Sequence, residues 1–306
     1  PVKDQGGCGS CWAFASVGAM EAQCQINIGN PGTGIDLSEQ NVLSCSGGSC
    51  SGWYLQGTLD FLKNSGTPDE ACDLYTATDS SCGTSRCLDY LSRTYYITSW
   101  TWISTDTANI KNFLYTHGPV VVWMPVFNDF PWYDAVFWQY YFYGHAPSGQ
   151  YAGHFVVIVG WDDQGAGTAD DYWIVRNSWG TSGGDVNSGY GGYFYMTQDP
   201  TNGFFGIYQE AAVISGVSLP QRPIEADDLI IVRPPAYNWF IRKSDGWFWA
   251  KQWGTSGDTP SLGDIDGDRI KDMIAWRPSN GGWYILRSSS NYASWSVYSW
   301  GVSGDT

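Results

Sequence analysis

Apolar residues recur on most turns between Cys11 and Ile28, no proline interrupts them, and Gly29-Asn30-Pro31-Gly32 stops the run. With Ser10, a preferred N-cap residue, in front of it, the pattern predicts a helix that carries Cys11 in its first turn. Shorter helices are predicted from Ser38 to Cys45, with Ser38 as cap, and from Tyr54 to Lys63. From Val120 onward the chain turns to short apolar and aromatic runs separated by Gly, Asp and Pro, as strands require. The clearest are Phe155 to Val159, Tyr172 to Val175 and Tyr193 to Met196. A polar, Gly-containing stretch from Asp162 to Asp171 joins the first two and suits an antiparallel pair. Setting Gly160 opposite Asp171 brings His154 opposite Asn177 at the open end. Helices first and strands later predict an α+β fold, with a cleft between a helical N-terminal half and a β-rich C-terminal half.

Residues 215–227 contain Gly216, Pro220 and Pro223 without sustained periodicity and read as a linker between a domain at 1–214 and a second region at 228–306. That region repeats internally. Asp228 to Pro234 matches Asp272 to Pro278 at a period of 44, Trp239 matches Trp283, and Trp253 to Thr259 returns as Trp300 to Thr306 at a period of 47. Short aromatic strands at such periods predict a partial, all-β, propeller-like array. A propeller closes with roughly four to eight blades, so fewer than two repeats read as a truncated array.

The composition, 43% hydrophobic and 15% charged over 306 residues, excludes a disordered polymer. Net charge is −15, and the acidity is concentrated before Ser215, where 20 Asp and Glu face 6 Lys and Arg. Such a field repels nucleic acid and anionic membranes. No apolar run is long enough to predict a membrane span. All eight cysteines lie at or before Cys87, which favours an oxidising, secreted or cell-surface setting.

The candidate chemistry begins at Gln5-Gly6-Gly7-Cys8-Gly9-Ser10-Cys11-Trp12-Ala13-Phe14. A thiol in the first turn of a helix feels the positive end of its dipole, which favours the nucleophilic thiolate. It needs an imidazole to exchange protons with, and only His117, His145 and His154 exist. His154 precedes an apolar strand that holds its backbone rigid, while His117 and His145 read as loop or surface residues. Asn177 would fix the His154 tautomer, and Trp179 would shield that bond from water. The Gln5 amide beside the Cys11 N–H would make an oxyanion hole.

These residues resemble the papain-like cysteine peptidases of the cathepsin group, whose Cys-Gly-Ser-Cys-Trp signature stands complete at Cys8 to Trp12. Further matching blocks are Asp36-Leu37-Ser38-Glu39-Gln40, Gly118-Pro119-Val120, Gly153-His154, Val159-Gly160-Trp161 and Asn177-Ser178-Trp179-Gly180-Thr181. The resemblance covers about 1–212. It implies a two-lobed fold, Cys11 as nucleophile, His154 as acid/base, Asn177 as orienter, Gln5 as oxyanion donor and no cofactor for catalysis. It also implies an apolar substrate pocket at Gly52, Trp53, Tyr54, Leu55, Trp123 and Gly153, and disulfides Cys8–Cys50 and Cys45–Cys82; Cys72–Cys87 is the remaining convenient pair, Cys72, Cys82 and Cys87 being open to exchange of roles, and Cys24 is left over. Trp53 stands where the family has glycine and is expected to narrow or re-aim the cleft. Protein or peptide substrates and an inhibitory pro-segment are the implied partners. The missing paired histidines between Cys82 and Trp100 favour endopeptidase over dipeptidyl action.

A second candidate site is Asp264-Ile265-Asp266-Gly267-Asp268-Arg269-Ile270-Lys271-Asp272. Carboxylates of Asp264, Asp266, Asp268 and Asp272 with the Ile270 carbonyl suit Ca²⁺, and the spacing resembles FG-GAP/VCBS-type repeats. Those repeats would serve calcium-stabilised adhesion to a surface or glycan ligand. Two rival functions use the same residues: a catalytically silent adhesion or glycan-binding protein, and a Cys-dependent acyltransferase or peptide ligase.

Overall fold

The computed structural model describes residues 2–29, 34–127, 150–163, 171–181, 191–198, 210–218, 224, 228–242, 248–267, 270–290 and 292–302. It divides into two compact units, one of residues 1–90 and 94–219, the other of 220–306 with the short segment 91–93. The aromatic run 132–143 and His145 lie outside the described residues.

In the first unit, helix α1 spans Cys11–Ile28 and ends on Gly29 in the left-handed conformation at φ 68°. Helix α2 is Glu39–Cys45, with the Ser38 side chain accepting from the Asn41 N–H, and α3 is Leu55–Asn64. Helix α4, Tyr90–Arg93, falls almost wholly in the segment assigned to the second unit, and α5 at Thr107–His117 follows in the first. Strands β1 (Tyr96–Ile97) and β8 (Val217–Ser218) form one antiparallel pair. Strands β2 (Trp100–Trp102), β3 (Val120–Phe127), β4 (Gln150–Asp162), β5 (Tyr172–Arg176), β6 (Tyr193–Thr197) and β7 (Ala211–Ile214) form a six-stranded sheet in the order β2-β7-β3-β4-β5-β6. Residues 215–218, read from sequence as linker, therefore belong to this unit through the Tyr96↔Ser218 and Ile97↔Val217 pairs. The boundary moves to 219/220.

Alternation along the strands feeds two cores. Val121, Val157, Ala212 and Ile214 join the buried face of α1 with Leu43, Leu55, Leu59 and Leu62. Val120, Val122, Met124, Val156, Ile158 and Val213 point the other way, onto Ile110 of α5, Trp173 and Phe194. Helix α1 is buried almost all round, from Trp12 to Glu21, as befits an element enclosed by both helices and sheet. Its placement fixes where Cys11 emerges.

Two local expectations are corrected. Ser10 occupies the N-cap position of α1 but makes no capping bond, because its hydroxyl is 2.7 Å from the Tyr75 hydroxyl. The β4–β5 register is Ile158↔Val175 and then Gly160↔Ile174, since Val159 bulges out of the ladder. Pairing also continues to Asp162↔Tyr172, into what the sequence suggested was loop. His154 consequently faces Met124 of β3, and Asn177 sits one residue past the end of β5.

The second unit contains β9 (Leu229–Arg233), β10 (Asn238–Arg242) and β11 (Phe248–Gln252) as one antiparallel meander. Strands β12 (Thr259–Gly263), β13 (Asp272–Arg277), β14 (Gly282–Leu286) and β15 (Trp295–Ser299) form a second. Sheets of three and four strands do not amount to a closed propeller ring. The two meanders share some contacts: Trp239 Nε1 donates to the Trp253 carbonyl at 2.8 Å, and Trp283 Nε1 to the Trp300 carbonyl at 2.7 Å. Arg233 lies over the Phe240 ring as Arg277 lies over Tyr284. Trp239, Ile241, Met273 and Leu286 close the core of this unit.

Candidate active site

A cavity of about 380 Å³ opens where α1 begins, lined by Gln5, Gly9, Cys11, Trp12, Ser51, Gly52, Trp53, Trp123, Val126, Ala152, Gly153, His154, Phe155 and Trp179. The structure thus brings together Gln5, Cys11, His154 and Trp179, which are scattered through the sequence. Asn177 stands directly behind His154: His154 Nε2 is 2.8 Å from Asn177 Oδ1, and both residues are buried. The same oxygen accepts the Ser178 N–H at 2.8 Å, which identifies it as oxygen rather than nitrogen. Nε2 therefore carries the ring proton and Nδ1 is left as the acceptor. Trp179 covers the ring at a centroid distance of 4.9 Å.

Burial dominates the electrostatics. It pushes the Cys11 thiol up, and the backbone N–H groups of Phe155, Trp12 and Cys11 only partly oppose it. The helix N-terminus alone would favour thiolate; desolvation outweighs it. Burial also holds the His154 imidazolium down to about 4, with the Asn177 hydrogen bond opposing. Each group by itself prefers its neutral form. A proton passed from sulfur to imidazole creates two opposite charges together, so the pair avoids the isolated buried ion that each separately resists.

Gln5 is held from three sides. Its N–H donates to the Ser178 carbonyl at 2.8 Å, its Oε1 accepts from Ser178 Oγ at 2.6 Å, and its Nε2 donates to the Cys8 carbonyl at 2.9 Å. These bonds fix which end of the amide is N–H₂, and a second hydrogen remains on Nε2. Ser178 was not singled out from the sequence; the available signal was a hydroxyl residue next to the proposed orienter. Two contacts to Cys50 hold the same loop, since Cys8 pairs with Cys50 and the Gly9 N–H donates to the Cys50 carbonyl at 2.8 Å. A side chain on Gly9 would lie 2.5 Å from that carbonyl. The other disulfides are Cys45–Cys82 and Cys72–Cys87, leaving Cys11 and a buried Cys24 as thiols.

Below Gln5, Lys3 enters a carboxylate cluster. Its Nζ lies 2.6 Å from Asp36, 2.7 Å from Glu39, 3.3 Å from Glu21 and 4.0 Å from Glu70, and donates to the Leu37 carbonyl at 2.7 Å. Arg176, the residue before Asn177, reaches Glu21 at 3.5 Å. It passes over Gly18, where a Cβ would sit 2.5 Å from its Nη1. Several carboxylates share one ammonium, so Lys3 is held charged, while burial pushes Glu39 up to about 8.

The substrate-pocket expectation holds only in part. Gly52, Trp53, Trp123 and Gly153 line the cavity; Tyr54 and Leu55 do not. Leu55 begins α3 and is fully buried in the helical core, while Tyr54 is 73% exposed. Trp53 packs against three glycines. A Cβ on Gly47, Gly48 or Gly57 would meet it at 3.3, 2.7 or 2.7 Å, so these glycines form a seat into which its side chain leans. Trp123 lies over Gly153, whose missing side chain would meet its Nε1 at 2.4 Å. His117 ends α5 and contacts Thr116.

Residues 1–214 match the family described as papain family cysteine protease. The chain belongs to that family. Over 205 residues this papain-family chain is 36% identical to a cathepsin L-like proteinase of Fasciola hepatica, covering 66% of this chain and 57% of the relative. It is 33% identical to ananain of Ananas comosus over 205 residues, covering 66% and 54%. Among solved structures, digestive procathepsin L 3 of Tenebrio molitor larval midgut is similar with a TM-score of 0.53 and 27% identity, covering 70% of this chain and 66% of that one. The chain thus spans little more than half the length of these curated relatives.

The loop expected to hold Ca²⁺ lies only partly within the described residues. Asp268 lies outside the described residues. Asp272 is fully buried, with Oδ1 accepting from Ser288 N at 2.8 Å and Ser288 Oγ at 2.6 Å, and Oδ2 from Ile265 N at 3.0 Å. Asp264 accepts from the Gly267 N–H at 2.7 Å, and Asp266 is 3.4 Å from Arg287. Ile270 follows the undescribed pair 268–269. Among the described residues, no group of three or more His, Cys, Asp or Glu side chains is arranged to hold a metal ion. Asp272 thus anchors the turn by accepting from Ile265 and Ser288.

Proposed function

We propose that this chain hydrolyses peptide bonds in proteins as a thiol endopeptidase. The observation that carries the reading is the convergence of Cys11, His154 and Gln5 on one cavity, with His154 Nε2 engaged at 2.8 Å by Asn177 so that Nδ1 is the ring's acceptor. In the proposed cycle the Cys11 proton passes to His154 Nδ1 as sulfur attacks the scissile carbonyl carbon. The displaced π pair collects on the carbonyl oxygen, where Gln5 Nε2–H and the Cys11 N–H receive it. The imidazolium then protonates the departing amine, the C–N bond breaks and a thioester remains. Water, giving its proton to Nδ1, cleaves the thioester, and sulfur recovers its proton as it leaves.

Among the described residues, Cys11 and His154 are the only ionisable side chains lining the cavity, and neutral, apolar substrate side chains suit its walls of indole and glycine. Three disulfides fit an oxidising compartment, and no helix of the described residues is long and apolar enough to cross a membrane. A pro-segment is the expected inhibitory partner, by analogy with the procathepsin neighbour. The second unit presents exposed Trp295, Tyr298 and Trp300 along β15, which supports a binding or adhesion role for the repeats. The test is cleavage of a dipeptidyl fluorogenic amide by the full chain and by Cys11→Ala. Release of fluorophore by the first alone is expected; no release by the unmutated chain overturns the reading.

A further inference from the structure

The two oxyanion donors of the proposed site belong to different segments. Gln5 lies on the N-terminal stretch, whereas the Cys11 N–H belongs to the first turn of α1. Their separation must be held within a fraction of an ångström, because one displaced catalytic contact is worth orders of magnitude in rate. One hydroxyl spans both. Tyr75 Oη donates to the Gln5 carbonyl at 2.9 Å and lies 2.7 Å from Ser10 Oγ, on the residue immediately before Cys11. Since the phenol has a single proton, given to Gln5, Ser10 is the donor in the second bond.

Tyr75 is itself fixed. Its N–H donates to Glu70 Oε1 at 2.8 Å, and its ring meets Phe14 of α1 edge-on at 4.8 Å and 88°. Neighbouring Thr76 donates through its N–H to Gln40 Oε1 at 2.9 Å, and Cys72 ties the loop to Cys87. The bond to Tyr75 also explains why Ser10 fails to cap α1. With its hydroxyl held by Tyr75, the Trp12 and Cys11 N–H groups are left to act on the Cys11 sulfur.

We infer that Tyr75 is a positioning residue that sets the Gln5 amide against the first turn of α1, and so sets the shape of the oxyanion hole. This rests on the peptidase reading above. Removing the hydroxyl while keeping the ring leaves the Phe14 contact intact and releases both Gln5 and Ser10. The experiment is a double-mutant cycle on the full chain with the fluorogenic amide. Tyr75→Phe is expected to lower kcat about tenfold with KM within about twofold, a fraction of the roughly 10²–10³ that losing a whole oxyanion donor costs. In a Gln5→Ala background the same change is expected to cost less than about twofold, since the amide it positions is gone. An unchanged kcat, or equal losses in both backgrounds, overturns the inference while unmutated activity keeps the peptidase reading intact. No activity in the unmutated chain overturns both. Matching unfolding midpoints for the Tyr75→Phe and unmutated chains exclude a folding defect as the source of the loss.

Discussion

Replacing Lys3 by methionine preserves an aliphatic stem of similar length and deletes only the ammonium. Five partners then change: the Leu37 carbonyl and Glu39 each lose a 2.7 Å donor, and Asp36, Glu21 and Glu70 lose contacts at 2.6, 3.3 and 4.0 Å. Asp36 is 58% exposed at its side chain and contributes little. Glu39 is 1% exposed and dominates. Breaking a buried pair from one side costs about 3–5 kcal/mol; near neutral pH the cost lies at the lower end, about 3 kcal/mol, because Glu39 is already protonated there. For a unit of this size that lowers Tm by roughly 6–12 °C. The pH dependence is the sharper signature. Glu39 titrates at about 8 with Lys3 present and higher without it, so between those values the folded variant holds a proton that the folded parent has released. The unfolded chains are alike. Stability of the variant relative to the parent must therefore be flat from pH 5 to 7 and fall by up to about 1.4 kcal/mol for each unit above 8. Urea unfolding of both proteins in a Cys11→Ala background, which prevents self-digestion, measures it. A difference that is constant to pH 9, or shrinks, refutes the assignment of Glu39 as the proton-holding member.

Gln5→Ala is expected to lower kcat by roughly 10²–10³, measured by steady-state hydrolysis; a change below tenfold means Gln5 does not meet the oxyanion. The depressed His154 pKa places loss of kcat/KM where pH falls through about 4, and an acid limb near 6.5 in the pH–rate profile contradicts it. The same depression means that folded His154 resists a proton the unfolded residue accepts, so stability drops by up to roughly 3 kcal/mol as pH falls from 6.5 to 4. In the second unit, Arg277 grips buried Asp258 with two bonds of 2.8 and 2.9 Å, holding that carboxyl below its usual range. Arg277→Lys loses the fork and is expected to destabilise that unit by about 1–3 kcal/mol, visible in denaturant melts of the repeat region. An unchanged melt removes the pair from the account.

Helix α1 was legible because every signal lay within it or at its ends: unbroken apolar turns and a glycine able to adopt φ 68°. The residues that converge on the cavity were legible from their chemistry, a thiol at a helix start and a histidine before an apolar strand. Their exact geometry was not. Gly160 pairs with Ile174, three residues from the expected Asp171, because pairing runs on to Asp162↔Tyr172; the Val159 bulge changes that offset by one residue, and a single inserted residue leaves no trace in an alternating apolar run. Leu55 entered the expected pocket through the family resemblance, and the first turn of α3 places it in the buried core. Acidic spacing alone could not show that Asp272 Oδ1 accepts from Ser288, 16 positions on. Lys3, Tyr75 and Ser178 escaped notice for the same reason, since their partners lie 34, 70 and 173 positions away.

The Cys8–Cys50 bridge sits three residues from the Cys11 thiol, and this proximity sets a rule for handling the protein. A thiol intended to attack carbonyl carbon attacks disulfide sulfur by the same chemistry, and added reductants do so too. Cys8 is 2% exposed, so that bridge is shielded from outside thiols while Cys11 faces the cavity. Activation should thus be a matter of kinetics: a brief, mild reducing pulse restores an oxidised Cys11 before it reaches the buried bridge, whereas long incubation opens the loop that holds Gln5. Activity against time in reductant would rise, then decay.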